Sequence, residues 1–288
     1  MRTDGLPDGA DRQITVGVDG STASLAALRW AHEQAMRRAA PLTVLTAWPS
    51  PANRDTAPIS SEGAAHVVAA AAVNSVLGRD GRKVTVWVSH YPAEPADALL
   101  RRARKSALLV LGRHSAHSVA EHLLGSVTER LLSEATSPVA VIHAMPNRSW
   151  HRILVGIDGS PAADAALHWA VEQARLSDSK VDAILVWDWR PEYGVHPYGP
   201  SEQAQEDEAH TMLERAVAAL PPDARSGLTN QVVRGHPAHV LLAAAEDADL
   251  LVVGNNRGGP LAERVLGSVS RHLALAARQP LVVTHAAH

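Results

Sequence analysis

The 288-residue chain contains no cysteine, which excludes a disulfide framework and any thiolate metal site. Lysine is nearly absent too: Lys83, Lys105 and Lys180 are the only ones, and none lies beside a glycine loop. With no G-x-x-x-x-G-K-[ST] run, P-loop hydrolysis is excluded. No G-x-S-x-G stretch occurs, which removes the simplest hydrolase elbow. No apolar run approaches the roughly 20 residues of a membrane helix. The net charge of -3 gives no broad pull toward nucleic acid or an anionic membrane. Residues 1–12 are polar, carry two glycines and a proline, and lack the apolar core of a signal peptide, so they read as a flexible tail. With 46% hydrophobic and 20% charged residues, the expectation by elimination is an ordered, soluble, cytoplasmic protein.

What the chain does have is an internal repeat. "ITVGVDGS" (Ile14 to Ser21) returns as "ILVGIDGS" (Ile153 to Ser160), and Trp30 and Trp48 return as Trp169 and Trp187. "LLVLG" ending at Gly112 returns as "LLVVG" ending at Gly254, and "LLGSVTERLL" around Gly125 returns as "VLGSVSRHLA" around Gly267. "SPVAVIH" ending at His143 returns as "QPLVVTH" ending at His285. A period of about 140 residues is too long for a solenoid unit and suits a complete small domain. The predicted organisation is a tail over 1–12, a first domain over 13–144, a linker over 144–150 and a second domain over 151–288.

Each copy alternates strand and helix. In the first copy the short Val/Ile/Leu-rich runs 14–18, 42–47, 84–88, 107–111 and 139–143 predict parallel strands covered on both faces. Leu28, Ala31 and Ala35, returning as Leu167, Ala170 and Ala174, have the spacing of a buried helix stripe. The fold class is therefore α/β: two tandem Rossmann-like, doubly wound domains, each with a five-stranded parallel sheet flanked by helices. Ligands of such sheets bind beyond the carboxyl ends of the strands, where the strand order reverses.

Two features fall at that edge. Asp19-Gly20-Ser21 and Asp158-Gly159-Ser160 form a strand-to-helix turn in which Gly allows the tight bend and Ser caps the helix. The Asp has two roles open to it, an Asx turn or acceptance of hydrogen bonds from a ribose hydroxyl or an adenine amine. Later in each copy, Gly112 is separated by twelve residues from Gly125-Ser126, and Gly254 by the same interval from Gly267-Ser268. A glycine leaving a strand, then a loop, then Gly-Ser opening a helix can aim backbone amides at an anion. Ser126, Thr128, Ser268 and Ser270 add hydroxyls there, the alternative being a glycine turn and an ordinary capped helix. His114, His117 and His122 lie close in sequence but lack a metal-ligand pattern and are not repeated, so they read as surface residues and no metal is expected. The acidic run from Glu202 to Glu208 reads as a solvated helix start.

Together, "VGVDGS", an apolar strand ending in Gly, and "LGSVT" or "LGSVS" before a closing "PVAV" or "PLVV" strand closely resemble the universal stress protein family. The likeness runs from Ile14 to His143 and from Ile153 to His285, and its tandem form is similar to the two-domain members common in actinobacteria. Nucleotide-binding members of that family carry G-x-x-G, nine further residues, then G-[ST]. The resemblance implies ATP, with Mg²⁺ as an accompanying ion, held by Asp19, Ala47, Gly112, Gly125, Ser126 and Thr128 in the first copy. In the second it implies Asp158, Val186, Gly254, Gly267, Ser268 and Ser270. Both copies depart from the motif at its second glycine, which is Ser115 in the first and Arg257 in the second. Gly258 and Gly259 follow Arg257 directly, so a one-residue shift restores a glycine, and Arg257 supplies a phosphate-binding cation. The second domain is thus expected to bind ATP more readily than the first.

The implied function is that of an adenine-nucleotide-binding regulatory or sensor protein of the stress response. The alternative is a degenerate scaffold of the same fold that binds no nucleotide and acts through protein contacts. No general base stands beside the glycine loops, so an enzyme is not expected, slow ATP hydrolysis aside. Family members pair their fifth strands across a dimer. That leads us to expect "VAVIH" and "LVVTH" to pair within one chain as a pseudo-dimer, with a homodimer as a further level of assembly.

Overall fold

The computed structural model describes residues 13–48, 59–78, 83–113, 124–143, 150–188, 201–255 and 266–286. The chain divides into two compact units, Met1–Pro146 and Asn147–His288.

In the first unit the strands are β1 (Gln13–Gly17), β2 (Leu42–Trp48), β3 (Val86–Pro92), β4 (Ser106–Gly112) and β5 (Val139–Ile142). The helices are α1 (Thr22–Arg37), α2 (Glu62–Val76), α3 (Pro95–Ala103) and α4 (Ser126–Glu134). The strand order is β3-β2-β1-β4-β5, and every pairing is parallel. The chain winds outward from β1 through β2 to β3, then starts again on the other side with β4, so the switch point lies between β1 and β4.

The second unit repeats the plan with β6 (Arg152–Ile157), β7 (Lys180–Trp187), β8 (Leu228–Arg234), β9 (Leu250–Gly254) and β10 (Leu281–Thr284). Its helices are α5 (Pro161–Ser177), α6 (Glu202–Ala218), α7 (Pro237–Ala245) and α8 (Ser268–Ala276). The order β8-β7-β6-β9-β10 places its switch point between β6 and β9.

Burial explains why these runs became strands and helices. Ile14, Val16, Leu109, Val110 and Val141 are fully buried, as are Ile153, Leu154, Val252 and Val283, which accounts for continuous apolar strands rather than alternating ones. Leu28, Ala31 and Ala35 on α1 have no exposed surface, and Leu167 and Ala170 on α5 are buried in the same way, so the predicted stripe is the face that each helix lays on its sheet. The acidic start of α6 is exposed, with Ser201 Oγ accepting from Ala204 N at 3.2 Å. No described helix is long and apolar enough to cross a membrane.

One strand departs from its predicted span. The run 84–88 was expected, but β3 covers Val86–Pro92 and pairs through His90, Tyr91 and Pro92 with Thr46, Ala47 and Trp48. An apolar-run criterion stops at Val88 because Ser89 and His90 are polar. β3 has only one strand neighbour within its unit, so polar residues and a terminal proline are tolerated there.

Candidate functional site

The turn after the first strand of each unit is built alike. Gly20 (φ 85°) and Gly159 (φ 75°) occupy the left-handed region, where a side chain is strained, so glycine is required for the bend. Ser21 Oγ accepts from Ser24 N at 3.2 Å, and Ser160 Oγ accepts from Ala163 N at 3.2 Å; both serines are N-caps. Asp19 Oδ1 accepts from Ser21 N at 3.0 Å and from the Ser21 hydroxyl at 2.6 Å, and Asp158 Oδ1 accepts from Ser160 N at 2.9 Å. The Asx turn therefore forms in both copies. It engages one carboxylate oxygen and holds the acid at the mouth of the switch point, with Asp158 itself exposed.

In the second unit a cavity of about 240 Å³ opens at this place. Gly156, Ile157 and Asp158 line it from the end of β6, Ile184 and Val186 from β7, and Val253 and Gly254 from β9. Pro237 and Leu241 of α7 form an apolar wall, and Gly267, Ser268, Val269 and Ser270 bring the N-terminus of α8 to the rim. Asp158, Val186, Gly254, Gly267, Ser268 and Ser270, all singled out in the sequence, thus surround one space. Arg257 and Gly258 lie outside the described residues, as do Ser115, Gly259 and the three histidines 114, 117 and 122.

The geometry gives several of these residues specific work. No side chain caps α8, whose N-cap is Gly267, so its first-turn amides border the cavity without a cap acceptor. Such a terminus favours an anion. The Ser270 hydroxyl donates to the Gly254 carbonyl at 3.1 Å, tying α8 to the end of β9. Gly254 also has a packing role: a Cβ there would stand 2.5 Å from the backbone of Ala162 and Ala163. The counterpart Gly112 is tighter still, with a Cβ falling 2.3 Å from the Ala23 carbonyl. These glycines let the strand end pass under the first turn of α5 or α1.

Three contributions escaped the sequence reading. Gly156 forms the floor, where a Cβ would come within 3.0 Å of Leu241 and 3.2 Å of Val253; an isolated glycine inside "LVGI" was its only signal. Pro237 and Leu241 come from a helix that carries no glycine motif. Asn255 is the third, 1% exposed: its backbone N donates to the Thr284 carbonyl at 2.8 Å and its Oδ1 accepts from Gly267 N at 3.0 Å.

In the first unit, Asp19 follows β1, Ala47 lies near the end of β2 and Gly112 ends β4, so three adjacent strands bring them to one edge. Gly125 is the N-cap of α4 with open space at its Cβ, Ser126 is exposed, and Thr128 is 7% exposed. The position of Asn255 is taken by Arg113, whose N donates to the Ile142 carbonyl at 2.8 Å and whose guanidinium pKa is lowered by burial. Among the described residues no group of three His, Asp or Glu side chains is arranged to hold a metal ion.

Two copies of a doubly wound parallel domain, each with an acid and a glycine-opened helix at its switch point, define the class of the protein. The pattern of the Universal stress protein family matches residues 12–143 and again 149–285, and the chain belongs to that family. It is 32% identical over 286 residues to a universal stress protein of Mycolicibacterium smegmatis, covering 94% of this chain and 96% of that one. A universal stress protein of Mycobacterium tuberculosis is 33% identical over 287 residues, with 94% and 96% covered. The crystal structure of a universal stress protein from Archaeoglobus fulgidus has the same fold, with a TM-score of 0.69 at 19% identity, covering 96% of this chain and 99% of that one.

Proposed function

We propose that the second unit binds an adenine nucleotide, ATP with Mg²⁺, and that the chain acts as a regulatory sensor rather than as an enzyme. The observation that carries this reading is the single cavity shared by Asp158, Val186, Gly254, Gly267, Ser268 and Ser270. Its chemistry is graded. The wall of Ile184, Val186, Pro237 and Leu241 suits a flat apolar base, and the Asp158 carboxylate suits ribose hydroxyls. The uncapped start of α8 suits phosphate oxygens, with Arg257 as a cation at the same loop. The residues present fit the ligand. Apart from Asp158, which the Asx turn engages, the described residues lining the cavity offer no general base, which supports a reading in which nucleotide occupancy itself is the signal.

Titration calorimetry with ATP and Mg²⁺ tests the reading. Gly267→Val should abolish most of the heat, while Gly125→Val should leave most of it. A Cβ at Gly267 meets nothing closer than 3.6 Å and one at Gly125 nothing within 4 Å, so neither position is closed by backbone at the Cβ, and an unchanged circular dichroism spectrum checks that each valine variant folds. Equal losses would contradict the preference for the second unit. A wild-type chain that takes up no adenylate and melts at an unchanged temperature would leave the scaffold reading in its place. Steady turnover near the rate of ordinary enzymes, about 10 per second, would restore the enzyme reading.

A further inference from the structure

The chain has four methionines and no cysteine, so methionine carries its only sulfur chemistry. Met1 and Met145 lie outside the described residues, and Met36 is 39% exposed on α1. Met212 is placed differently: it reaches from α6 onto the turn that carries Asp158.

A Cβ at Gly159 would stand 2.2 Å from Met212 Sδ, 2.8 Å from its Cγ and 3.1 Å from its Cε. The thioether therefore fills the space that a side chain at 159 would take, with sulfur at its centre. On one side of this glycine is Asp158, whose Oδ1 accepts from Ser160 N at 2.9 Å. On the other is Ser160, whose Oγ accepts from Ala163 N at 3.2 Å and caps α5. Met212 thus covers the residue about which both bonds are made, and Asp158 lines the cavity of the second unit.

The first unit builds the same turn without sulfur. There Val68 of α2 stands over Gly20, its Cγ1 3.3 Å from where a Cβ would be. Packing on a positive-φ glycine needs only an apolar group, and valine supplies one. What a thioether adds is two-electron oxidation at sulfur. Asp158 and Gly159 are exposed and Met212 is partly exposed, so the contact lies at the surface, within reach of a small oxidant.

We infer that Met212 is a site of reversible sulfoxidation that releases the Asp158 turn and so regulates the cavity of the second unit. Only the last step, control of nucleotide, rests on the function proposed above. The oxidant is a peroxide. A sulfur lone pair attacks one peroxide oxygen, the S–O bond forms as the O–O bond breaks, and the other oxygen leaves as water. Sulfur loses two electrons and the peroxide gains them. The product is polar and bulkier than the thioether. With Sδ seated on Gly159, the added oxygen either crowds the turn or draws the side chain away into solvent. Both outcomes uncover the glycine, loosen the Asp158–Ser160 bond and free the carboxylate from its place at the cavity mouth. A dithiol-dependent sulfoxide reductase reverses the step, supplying two electrons and two protons and releasing the oxygen as water.

The test treats the full chain with graded hydrogen peroxide and follows each methionine by peptide mass spectrometry. Hydrogen exchange at the Ser160 and Ala163 amides and calorimetry with ATP are measured on the same samples. Oxidation of Met212 should speed exchange at both amides severalfold and weaken ATP about fivefold, the size expected for loss of one charged contact. Sulfoxide reductase with a dithiol should restore both values, a readout that needs no variant. M212L, which keeps an apolar group over Gly159, should show neither change after peroxide, whereas M36L should respond as wild type does. Met212 remaining reduced while Met36 is fully converted would overturn the inference, as would equal exchange in peroxide-treated wild type and M212L. Faster exchange with no ATP bound before or after oxidation would leave the sulfur switch standing and remove the nucleotide reading instead.

Discussion

Asn255 Oδ1 and the amide of Gly267 are joined by a 3.0 Å hydrogen bond that spans both ends of the loop carrying Arg257 and Gly258. The same asparagine is pinned by its backbone to Thr284 of β10 at 2.8 Å, so one buried residue sets the distance between the end of β9 and the start of α8. The first unit has Arg113 in its place, a side chain that only donates.

Asn255→Leu should therefore release the Gly267 amide. Loss of a buried side-chain bond of this kind costs about 1 to 3 kcal/mol. Hydrogen exchange should show faster labelling at the start of α8, and calorimetry a weaker ATP complex in the second unit. Unchanged exchange at Gly267 would show that the loop is held by other means.

The glycines separate into two kinds that a sequence pattern groups together. Gly112→Ala and Gly254→Ala must push a methyl group into backbone 2.3 to 2.5 Å away, and neither Ala23 nor Ala162 can move without shifting its helix. Each should lower the melting temperature by several degrees, consistent with an overpacking cost of about 1 to 3 kcal/mol. Gly125→Ala, at φ -60° in open space, should leave the melting temperature nearly unchanged. A Gly254→Ala variant as stable as wild type would refute the packing account.

That contrast shows what the sequence could and could not convey. The repeat, the strand and helix alternation and the turns at Asp19 and Asp158 were legible because hydrophobic periodicity, a capping serine and a positive-φ glycine each act locally. Gly254, Gly267, Ser268 and Ser270 of the candidate cavity stood out because two copies of one spacing mark the carboxyl edge, whereas Val186 came only from the family resemblance. The reason for Gly112 and Gly254 was not legible, since it lies in helices about 90 residues away in the chain. Leu241 and Pro237 likewise carry no local mark; α7 sets Leu241 against Gly156 and Pro237 at the cavity wall. Asn255 had one faint signal, a polar residue directly after a buried apolar strand.

Asp158→Asn distinguishes the turn from the ligand contact. The amide oxygen can still accept the 2.9 Å bond from Ser160 N, so the strand-to-helix turn and thermal stability should persist. The charge is lost, and charge-assisted hydrogen bonds are roughly twice as strong as neutral ones. ATP affinity should therefore fall by about fivefold to tenfold, a loss of the order of 1 kcal/mol. Wild-type affinity in this variant, measured by calorimetry, would remove Asp158 from the ligand contacts.

The first unit holds a half-buried histidine that makes it sensitive to acid. His90 on β3 meets His66 of α2 edge to face with ring centroids 5.4 Å apart, and neither of its ring nitrogens has a hydrogen-bond partner. Burial lowers its pKa first, the charge of His66 lowers it further, and Glu62 opposes both. A histidine whose folded pKa lies below its unfolded value of about 6.5 binds its proton more readily in the unfolded chain. Above both values His90 leaves stability independent of pH. As pH falls through about 6.5 the unfolded state gains protons first, and the loss of stability is complete only below the folded pKa. Counting back from the residues paired with Trp48 and Trp187, the second unit carries Val232 where the first carries His90. His90→Val should therefore stabilise the first unit and narrow the difference in its melting temperature between pH 7.5 and pH 5. An identical pH dependence in wild type and variant would mean that another group controls the acid response.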